Sequence, residues 1–255
     1  MTNGFKIGIF DSGKGGLSVA NEIYRIGQQM NLSINIDYLA DFNNFPYGNK
    51  TKDELKKIIY NNVNHLFNSG NSVIIVACNT ASIAGNGFFD ELMKKMPVHI
   101  YKVTEGLSSL NTQLNQAKKI LVLGTNFTIK SKFYRKKFNL INKNLRVFEI
   151  AAQNLVSYIE ANNSLLIDKE VESLKTYIEK EKIDSLFLGC THYSYVNHLF
   201  VNKLKGINIL DPSVMIAKKV LIDVVEKKFK PFESDLNLNG IDYQNYQFKV
   251  ENSND

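Results

Sequence analysis

An α/β protein of mostly parallel sheets with crossover helices, in two pseudo-equivalent halves, is the fold class this sequence predicts, and three observations predict it. Apolar runs of four to six residues, rich in Ile and Val, stop abruptly, as buried parallel strands do. Helical patterns lie between most of these runs, and strand alternating with helix is the signature of βαβ units. Two strand endings also match: Val-Ile-Ile-Val-Ala-Cys78-Asn-Thr in the first half of the chain and Ser-Leu-Phe-Leu-Gly-Cys190-Thr-His in the second.

In chain order, strands are expected at 6–10, 36–39, 73–77, 120–123, 147–150, 185–188 and 207–210. Residues 52–67 place Leu55, Ile58, Ile59, Val63 and Leu66 at three- and four-residue intervals, the apolar face of a helix, with Thr51 able to cap its start. Pro97 follows a helical stretch, and a new strand-helix series begins near residue 100. The chain is therefore expected to pass there from a first α/β domain, 1–99, to a second, 100–210. Asp211-Pro212 marks the return, so that 211–255 completes the first domain and a helix over 214–227 packs back on it. The last twenty or so residues are polar and aromatic without clear period, and no structure is expected of them.

With 255 residues and 44% hydrophobic content, the chain can bury a sizeable core. The start has no cationic segment leading into an apolar stretch, and no later window approaches a bilayer-spanning length without charge. A soluble, cytoplasmic protein without a membrane partner is expected, its two cysteines free thiols in a reducing compartment. The net charge of +6 raises nucleic acid as a partner. Only Arg25, Arg135 and Arg146 are arginine, however, the residue suited to bidentate base reading. The densest basic stretch, 130–137, sets Lys132, Arg135, Lys136 and Lys137 around Phe133 and Tyr134, as a solvated amphipathic helix does. No nucleic-acid partner is expected.

Ligands of open α/β sheets bind just outside the carboxyl ends of the strands, which is where both cysteines fall. The first strand runs into Asp11-Ser12-Gly13-Lys14-Gly15-Gly16, a glycine-rich turn that opens a helix and offers backbone N–H groups to an anion. Ser18 stands where a dinucleotide fingerprint needs glycine, and no Gly-Lys-Ser/Thr phosphate loop is present. A small carboxylate fits better, with Asp11 receiving a substrate ammonium; a tight strand-to-helix turn capped by Asp11 or Ser12 is the plainer alternative. Pro46-Tyr47-Gly48 follows Asp41 in a loop on the same sheet edge, where its backbone amides could meet a second carboxylate.

A single cysteine is more often a small buried hydrophobe than a reactive group, but two in matched places weigh more. Asp11 and His192 are polar partners able to tune their ionisation, since a free thiol with pKa about 8.5 is mostly protonated at neutral pH. Two other uses stay open. Cys78, Cys190 and His192 could hold a metal, although structural zinc sites want four ligands and often a Cys-x-x-Cys pair. A hydrolase built on Cys78, His192 and Asp11 would leave Cys190 without a role. His65, His99 and His198 lie in helical or strand contexts and are read as structural or surface residues.

As a set, Phe10-Asp11-Ser12-Gly13-x-Gly15-Gly16-Leu17, Pro46-Tyr47-Gly48, Ala77-Cys78-Asn79-Thr80-Ala81 and Leu188-Gly189-Cys190-Thr191-His192-Tyr193 resemble the glutamate racemases in order and spacing from end to end. Aspartate racemases are similar around the cysteines but lack the Asp-Ser-Gly opening. The resemblance implies two domains related by pseudo-twofold symmetry, a homodimer and no cofactor; no metal is expected, since the ligand number and spacing of a zinc site are missing. It also implies a substrate, L- or D-glutamate, held between the domains with one cysteine on each face of its α-carbon. Cys78 would then act on D-glutamate and Cys190 on L-glutamate. Asp11 and His192 would assist the thiols, and Glu160 would orient His192. Asn79, Thr80 and Thr191 would hold the α-carboxylate, Ser12 with Tyr47-Gly48 would receive the side-chain carboxylate or the amino group, and Thr128 would line the site. The D-glutamate would supply peptidoglycan synthesis.

Four departures from the family pattern stand out: Lys14 at a position usually small or aliphatic, Thr104-Glu105-Gly106 for Glu-Pro-Ala, Ala152-Gln153 for Cys-Pro, and Ser194 for a proline. A racemase for aspartate or another amino acid, and a catalytically silent binding protein on the same fold, are the alternatives.

Overall fold

The computed structural model describes residues 5–226. The elements run β1 (Phe5–Asp11), α1 (Leu17–Gln29), β2 (Ile34–Ala40), α2 (Lys52–Asn68), β3 (Val73–Val76), α3 (Asn79–Ala84), α4 (Phe88–Lys95), β4 (His99–Lys102), α5 (Asn111–Gln116) and β5 (Lys119–Gly124). They continue with α6 (Asn126–Ser131), α7 (Phe133–Ile141), β6 (Arg146–Ala151), α8 (Gln153–Glu160), α9 (Ser164–Glu181), β7 (Ser185–Gly189), α10 (Thr191–Tyr195), α11 (Asn197–Lys203), β8 (Asn208–Leu210) and α12 (Pro212–Val225). Tight 3-10 turns cover Phe42–Asn44, Tyr47–Asn49 and Val103–Leu110.

The strands form two four-stranded sheets, ordered β2-β1-β3-β4 and β6-β5-β7-β8, and every pairing is parallel. The second order repeats the first, so β1 corresponds to β5 and β3 to β7. In each sheet the order reverses between those two central strands, and a crevice opens beyond their carboxyl ends at such a reversal. Phe10 pairs with Val76 there, and Gly124 with Gly189. The doubled strand ending thus reports a doubled sheet.

Helices cover both faces of each sheet, which is why the runs in β3, β5 and β7 are apolar on consecutive residues rather than on alternate ones. In the first sheet Ile7, Ile9 and Ile75 pack with Val19 and Ile23 of α1 and with Val220 and Val224 of α12. Phe10, Ile74 and Val76 face the other way, toward Leu55, Ile59 and Val63 of α2 and Phe89 of α4. In the second sheet Leu121, Leu186 and Leu188 meet α8 and α9, while Ile120, Val122 and Phe187 meet Tyr134 and Phe138 of α7. The basic faces of α6 and α7 point outward, as their sequence predicts, with Lys130, Lys132, Lys136 and Lys137 exposed and Lys132 and Arg135 paired to Glu149.

The capping of α2 follows the sequence: Thr51 Oγ1 accepts the Glu54 N–H, and the Glu54 carboxylate accepts the Thr51 N–H. Asp211 caps α12 by accepting the Ser213 N–H at 2.9 Å, and Pro212 fits the first helical position, where no amide partner is needed. The helix starts two residues before the predicted 214. Position 227 and the C-terminal stretch beyond it lie outside the described residues.

One strand was not legible. His99–Lys102 pairs with β3, so the expected passage near residue 100 falls inside a strand of the first sheet. The chain changes sheets after it, through Val103–Leu110 and α5. β4 is an edge strand whose His99 is exposed and whose Lys102 is only half-buried, so its four residues carry no apolar run.

Among the described residues, no helix is long and apolar enough to cross a membrane.

Candidate active site

Cys78 follows β3 and caps α3; Cys190 follows β7 and caps α10. Both are free thiols, each 5% exposed, at the crevice ends of the two equivalent central strands. No group of three or more His, Cys, Asp and Glu side chains among the described residues is arranged to hold a metal ion.

Asp11 ends β1 and is fully buried. Its Oδ1 accepts the Gly13 N–H at 3.0 Å, with Ser12 Oγ 3.4 Å away, and its Oδ2 accepts from Thr191 Oγ1 of the other half at 2.8 Å. The glycine turn behaves differently from its expected role as an anion cradle. Its amides serve two of the protein's own carboxylates, because Gly13 N–H goes to Asp11 and Lys14 N–H to Glu160 Oε1 at 2.7 Å. Tyr38 fixes the turn by donating to the Gly13 carbonyl at 2.7 Å. The glycines are there for space. A Cβ on Gly13 would lie 2.2 Å from Glu160 Oε1, and one on Gly15 would lie 2.5 Å from His192 Nδ1.

His192 stands two residues after Cys190, its Nδ1 3.7 Å from the Cys190 sulfur and its Nε2 2.6 Å from Glu160 Oε1. This chain of thiol, imidazole and carboxylate belongs to the second half, but its carboxylate end is held from the first. Besides the Lys14 amide, Lys14 Nζ donates to the Glu160 carbonyl at 3.0 Å and to Asn162 Oδ1 at 2.7 Å, and it lies 5.5 Å from the centre of the Tyr195 ring. Lys14, the departure with no predicted role, bridges the two halves.

Across the cleft, Tyr134 donates to Asn79 Oδ1, while Asn79 Nδ2 is buried with no protein acceptor. Thr80 Oγ1 meets Thr125 Oγ1 at 2.9 Å, and Thr125 donates to Thr128 Oγ1 at 3.0 Å. Gly48 presses against the second half, its would-be Cβ 2.1 Å from Gln153 Oε1 and 2.8 Å from Thr125 Cβ. Tyr47 is buried beside it, but its hydroxyl donates to Asp41 Oδ2 at 2.6 Å and accepts from Asn62 at 2.9 Å. Only the backbone of Tyr47 is left for a ligand.

Burial dominates the electrostatics. It lifts the Asp11 carboxyl above the ordinary carboxylate range, against the opposing pull of His192, Thr191 and the Gly13 amide. Burial and then the Asp11 charge push the Cys78 thiol from its ordinary 9.0 up to about 12, although the Ala81 and Thr80 amides and Ser12 favour the thiolate. Cys190 is pushed well up by burial, then by Cys78 and Asp11. Glu160 feels the same penalty, but the His192 hydrogen bond and charge and the Lys14 amide outweigh it and hold the carboxyl below its ordinary value.

A raised thiol has a stability consequence. The folded protein keeps the Cys78 proton where an unfolded thiol releases it, so this contribution is intact below pH 9.0 and is lost as pH climbs toward about 12. Between about pH 8.5 and about pH 10, the wild type should lose about 1 kcal/mol more unfolding free energy in urea than Cys78→Ser, which has no titrating proton there. Equal losses would refute the raised thiol.

Of the expected site residues, Asp11, Ser12, Cys78, Asn79, Thr80, Thr128, Glu160, Thr191, Cys190 and His192 line one buried junction between the sheets, with Gly48 at its edge. Sequence reasoning missed Tyr38, Thr125 and Tyr134. Thr125 carried one usable signal, its place directly after β5, the counterpart of Asp11 at the end of β1. Tyr134 was hidden in the basic stretch.

The model of a family described as Asp/Glu/hydantoin racemase matches residues 25–220. A glutamate racemase of Fusobacterium nucleatum is 34% identical over 221 residues, 85% of this chain and 80% of that protein. One from Sulfurihydrogenibium sp. is 34% identical over 239 residues, 90% and 88% of the two. The crystal structure of the Francisella tularensis glutamate racemase in complex with D-glutamate superposes with a TM-score of 0.74 at 27% identity, covering 89% of this chain and 83% of that one. A match that begins in α1 and ends in α12, with relatives this similar across most of the sequence, means that the chain belongs to the Asp/Glu/hydantoin racemase family.

Proposed function

We propose that this protein interconverts L- and D-glutamate without a cofactor, Cys78 and Cys190 exchanging protons with opposite faces of the α-carbon. The observation that carries the reading is the pair of buried free thiols at equivalent strand ends, with His192 Nδ1 3.7 Å from the Cys190 sulfur and the Asp11 charge acting on Cys78. The glutamate racemases among the similar proteins support the choice of substrate.

In the direction from L-glutamate, the Cys190 thiol gives its proton to His192, whose imidazolium is stabilised by Glu160 at 2.6 Å. The thiolate takes the α-proton, and the Cys78 thiol delivers its proton to the other face, becoming a thiolate. Once D-glutamate has left, the His192 imidazolium gives up its proton and the Cys78 thiolate regains one through solvent, restoring both thiols; starting from D-glutamate the roles reverse, with Asp11 attending Cys78. The substrate ammonium supplies a counter-charge near Asp11, which lowers the cost of a thiolate beside a carboxylate. The transient carbanion pushes charge onto the α-carboxylate, and Asn79 Nδ2, buried without a protein acceptor, is the donor placed to hold it. The distal carboxylate lies toward the Gly48 amide, with Thr80, Thr125 and Thr128 lining the wall. In the cytoplasm the D-glutamate would feed peptidoglycan synthesis.

Proton NMR with chiral analysis of the purified protein in deuterium oxide tests this, with L- and D-glutamate supplied separately and no added cofactor or metal. Loss of the α-proton signal and appearance of the opposite enantiomer from both directions is the expected result. Retention of both α-protons by folded protein would rule out glutamate as substrate, and aspartate would be tried next.

A further inference from the structure

Two side-chain amide nitrogens among the described residues are sealed from solvent without a protein acceptor, Asn79 Nδ2 and Gln153 Nε2; the other orphaned buried side-chain atoms are oxygens. A buried donor without a partner costs about 1–3 kcal/mol, so native structures rarely keep one without a use. Here both stand at the same junction between the halves, one on each wall. Asn79 directly follows Cys78 in the first half. Gln153, the first residue of α8, belongs to the second.

The orientation of the Gln153 amide is set by its surroundings. Its Oε1 accepts the Asn126 N–H at 3.3 Å, which identifies the oxygen and turns the NH2 group elsewhere. The same side chain lies so close to Gly48 that a Cβ there would stand 2.1 Å from Oε1, and Thr125 bounds the space from another side. Gln153 therefore sits beside Gly48, on the loop whose backbone amides were expected to meet a second carboxylate.

We propose that Gln153 is a specificity residue: its Nε2–H donates to the distal carboxylate of the substrate beside the Gly48 amide, while Asn79 takes the α-carboxylate. This rests on the racemase reading and deepens it. Two fixed amide donors on opposite walls measure the separation of two carboxylates, and a diacid shorter by one methylene satisfies only one of them. Failure to pair a buried polar group is what gives such sites their selectivity. The assignment also gives a role to one of the departures from the family pattern, since the proline usual at this position has no side-chain donor.

The test is steady-state racemisation of both glutamate enantiomers by full-length wild type, Gln153→Met and Gln153→Glu, with thermal midpoints confirming that each variant is folded. Methionine keeps the shape and removes the donor. Glutamate keeps an oxygen for the Asn126 N–H but sets a like charge against the substrate, so it preserves the local fold if methionine does not. KM should rise about tenfold with Gln153→Met, or about 1.4 kcal/mol, and further with Gln153→Glu, while kcat stays within about threefold. The contact is remote from the reacting carbon and so equally strong in ground and transition states. A KM within twofold of wild type in both variants, or a fall in kcat at unchanged KM, would overturn the assignment. An inert wild type would instead sink the racemase reading, and an active wild type with indifferent variants sinks this assignment alone.

Discussion

Replacing either Cys78 or Cys190 by serine should lower racemisation in both directions on the order of 10³-fold, the scale of losing one positioned acid-base group. The reason lies in symmetry. Each thiol sits at the crevice end of an equivalent central strand, and in the proposed mechanism each serves as base in one direction and acid in the other, so neither direction survives the loss of either. Serine preserves size and polarity but cannot ionise in the accessible range. Chiral chromatography of reactions started from each enantiomer reads the loss. A cysteine hydrolase built on Cys78 makes the opposite forecast for Cys190→Ser, which would leave its activity untouched. Full racemisation by either variant would end the two-thiol mechanism.

Gly15→Ala should be nearly as severe, although Gly15 carries no functional group. Its backbone is not among those with positive φ, so alanine meets no conformational obstacle there. The obstacle is space: the new methyl would lie 2.5 Å from His192 Nδ1 and 2.7 Å from the His192 backbone nitrogen. Neither neighbour can give way. The ring is 1% exposed and tied to Glu160 at 2.6 Å, and the backbone nitrogen lies in the first turn of α10. The contact falls on the imidazole nitrogen that faces the Cys190 sulfur, so the expected outcome is roughly a 10²-fold loss of kcat/KM together with about 1–3 kcal/mol of destabilisation. Urea unfolding and initial rates measure the two. Adding His192→Ala should return much of the lost stability, because the clash is shared by the pair. Wild-type activity in Gly15→Ala would show that the glycine turn does not press on the imidazole as described.

The strands that carry the site were readable because they are the most buried. Val73–Val76 and Ser185–Gly189 are central strands covered on both faces, so sequence alone shows an unbroken apolar run and an abrupt stop at a cysteine. β4 escaped notice for the converse reason, since an edge strand of four residues need not be apolar. Glu160 and Thr128 were implied by the family resemblance; from local pattern alone, residues that act across the junction were legible only where they sat beside a strand end. Asp11, Asn79, Thr191 and His192 do so. Tyr134 reaches Asn79 from a helix whose exposed basic face dominates its composition, and no local pattern announces that contact. The Tyr47 hydroxyl and two amides of the glycine turn share one fate, each taken up by a carboxylate of the protein itself. Sequence shows which donors a loop carries but not which acceptors the folded chain has already supplied, and Asp41, Asp11 and Glu160 had supplied them.

The bridge made by Lys14 has a bearing on durability. Oxidants and electrophiles attack thiolates far faster than thiols. A catalyst whose only reactive atoms are two sulfurs is therefore exposed to corrosion whenever it idles with either one ionised. Here burial keeps both sulfurs protonated at rest, and the imidazole that can unload Cys190 is oriented by a carboxylate gripped from the opposite half. The group that can produce the aggressive form of the sulfur is thus positioned from both halves at once. The same contact that joins the two halves through Lys14 also sets the orientation on which unloading of the Cys190 proton depends.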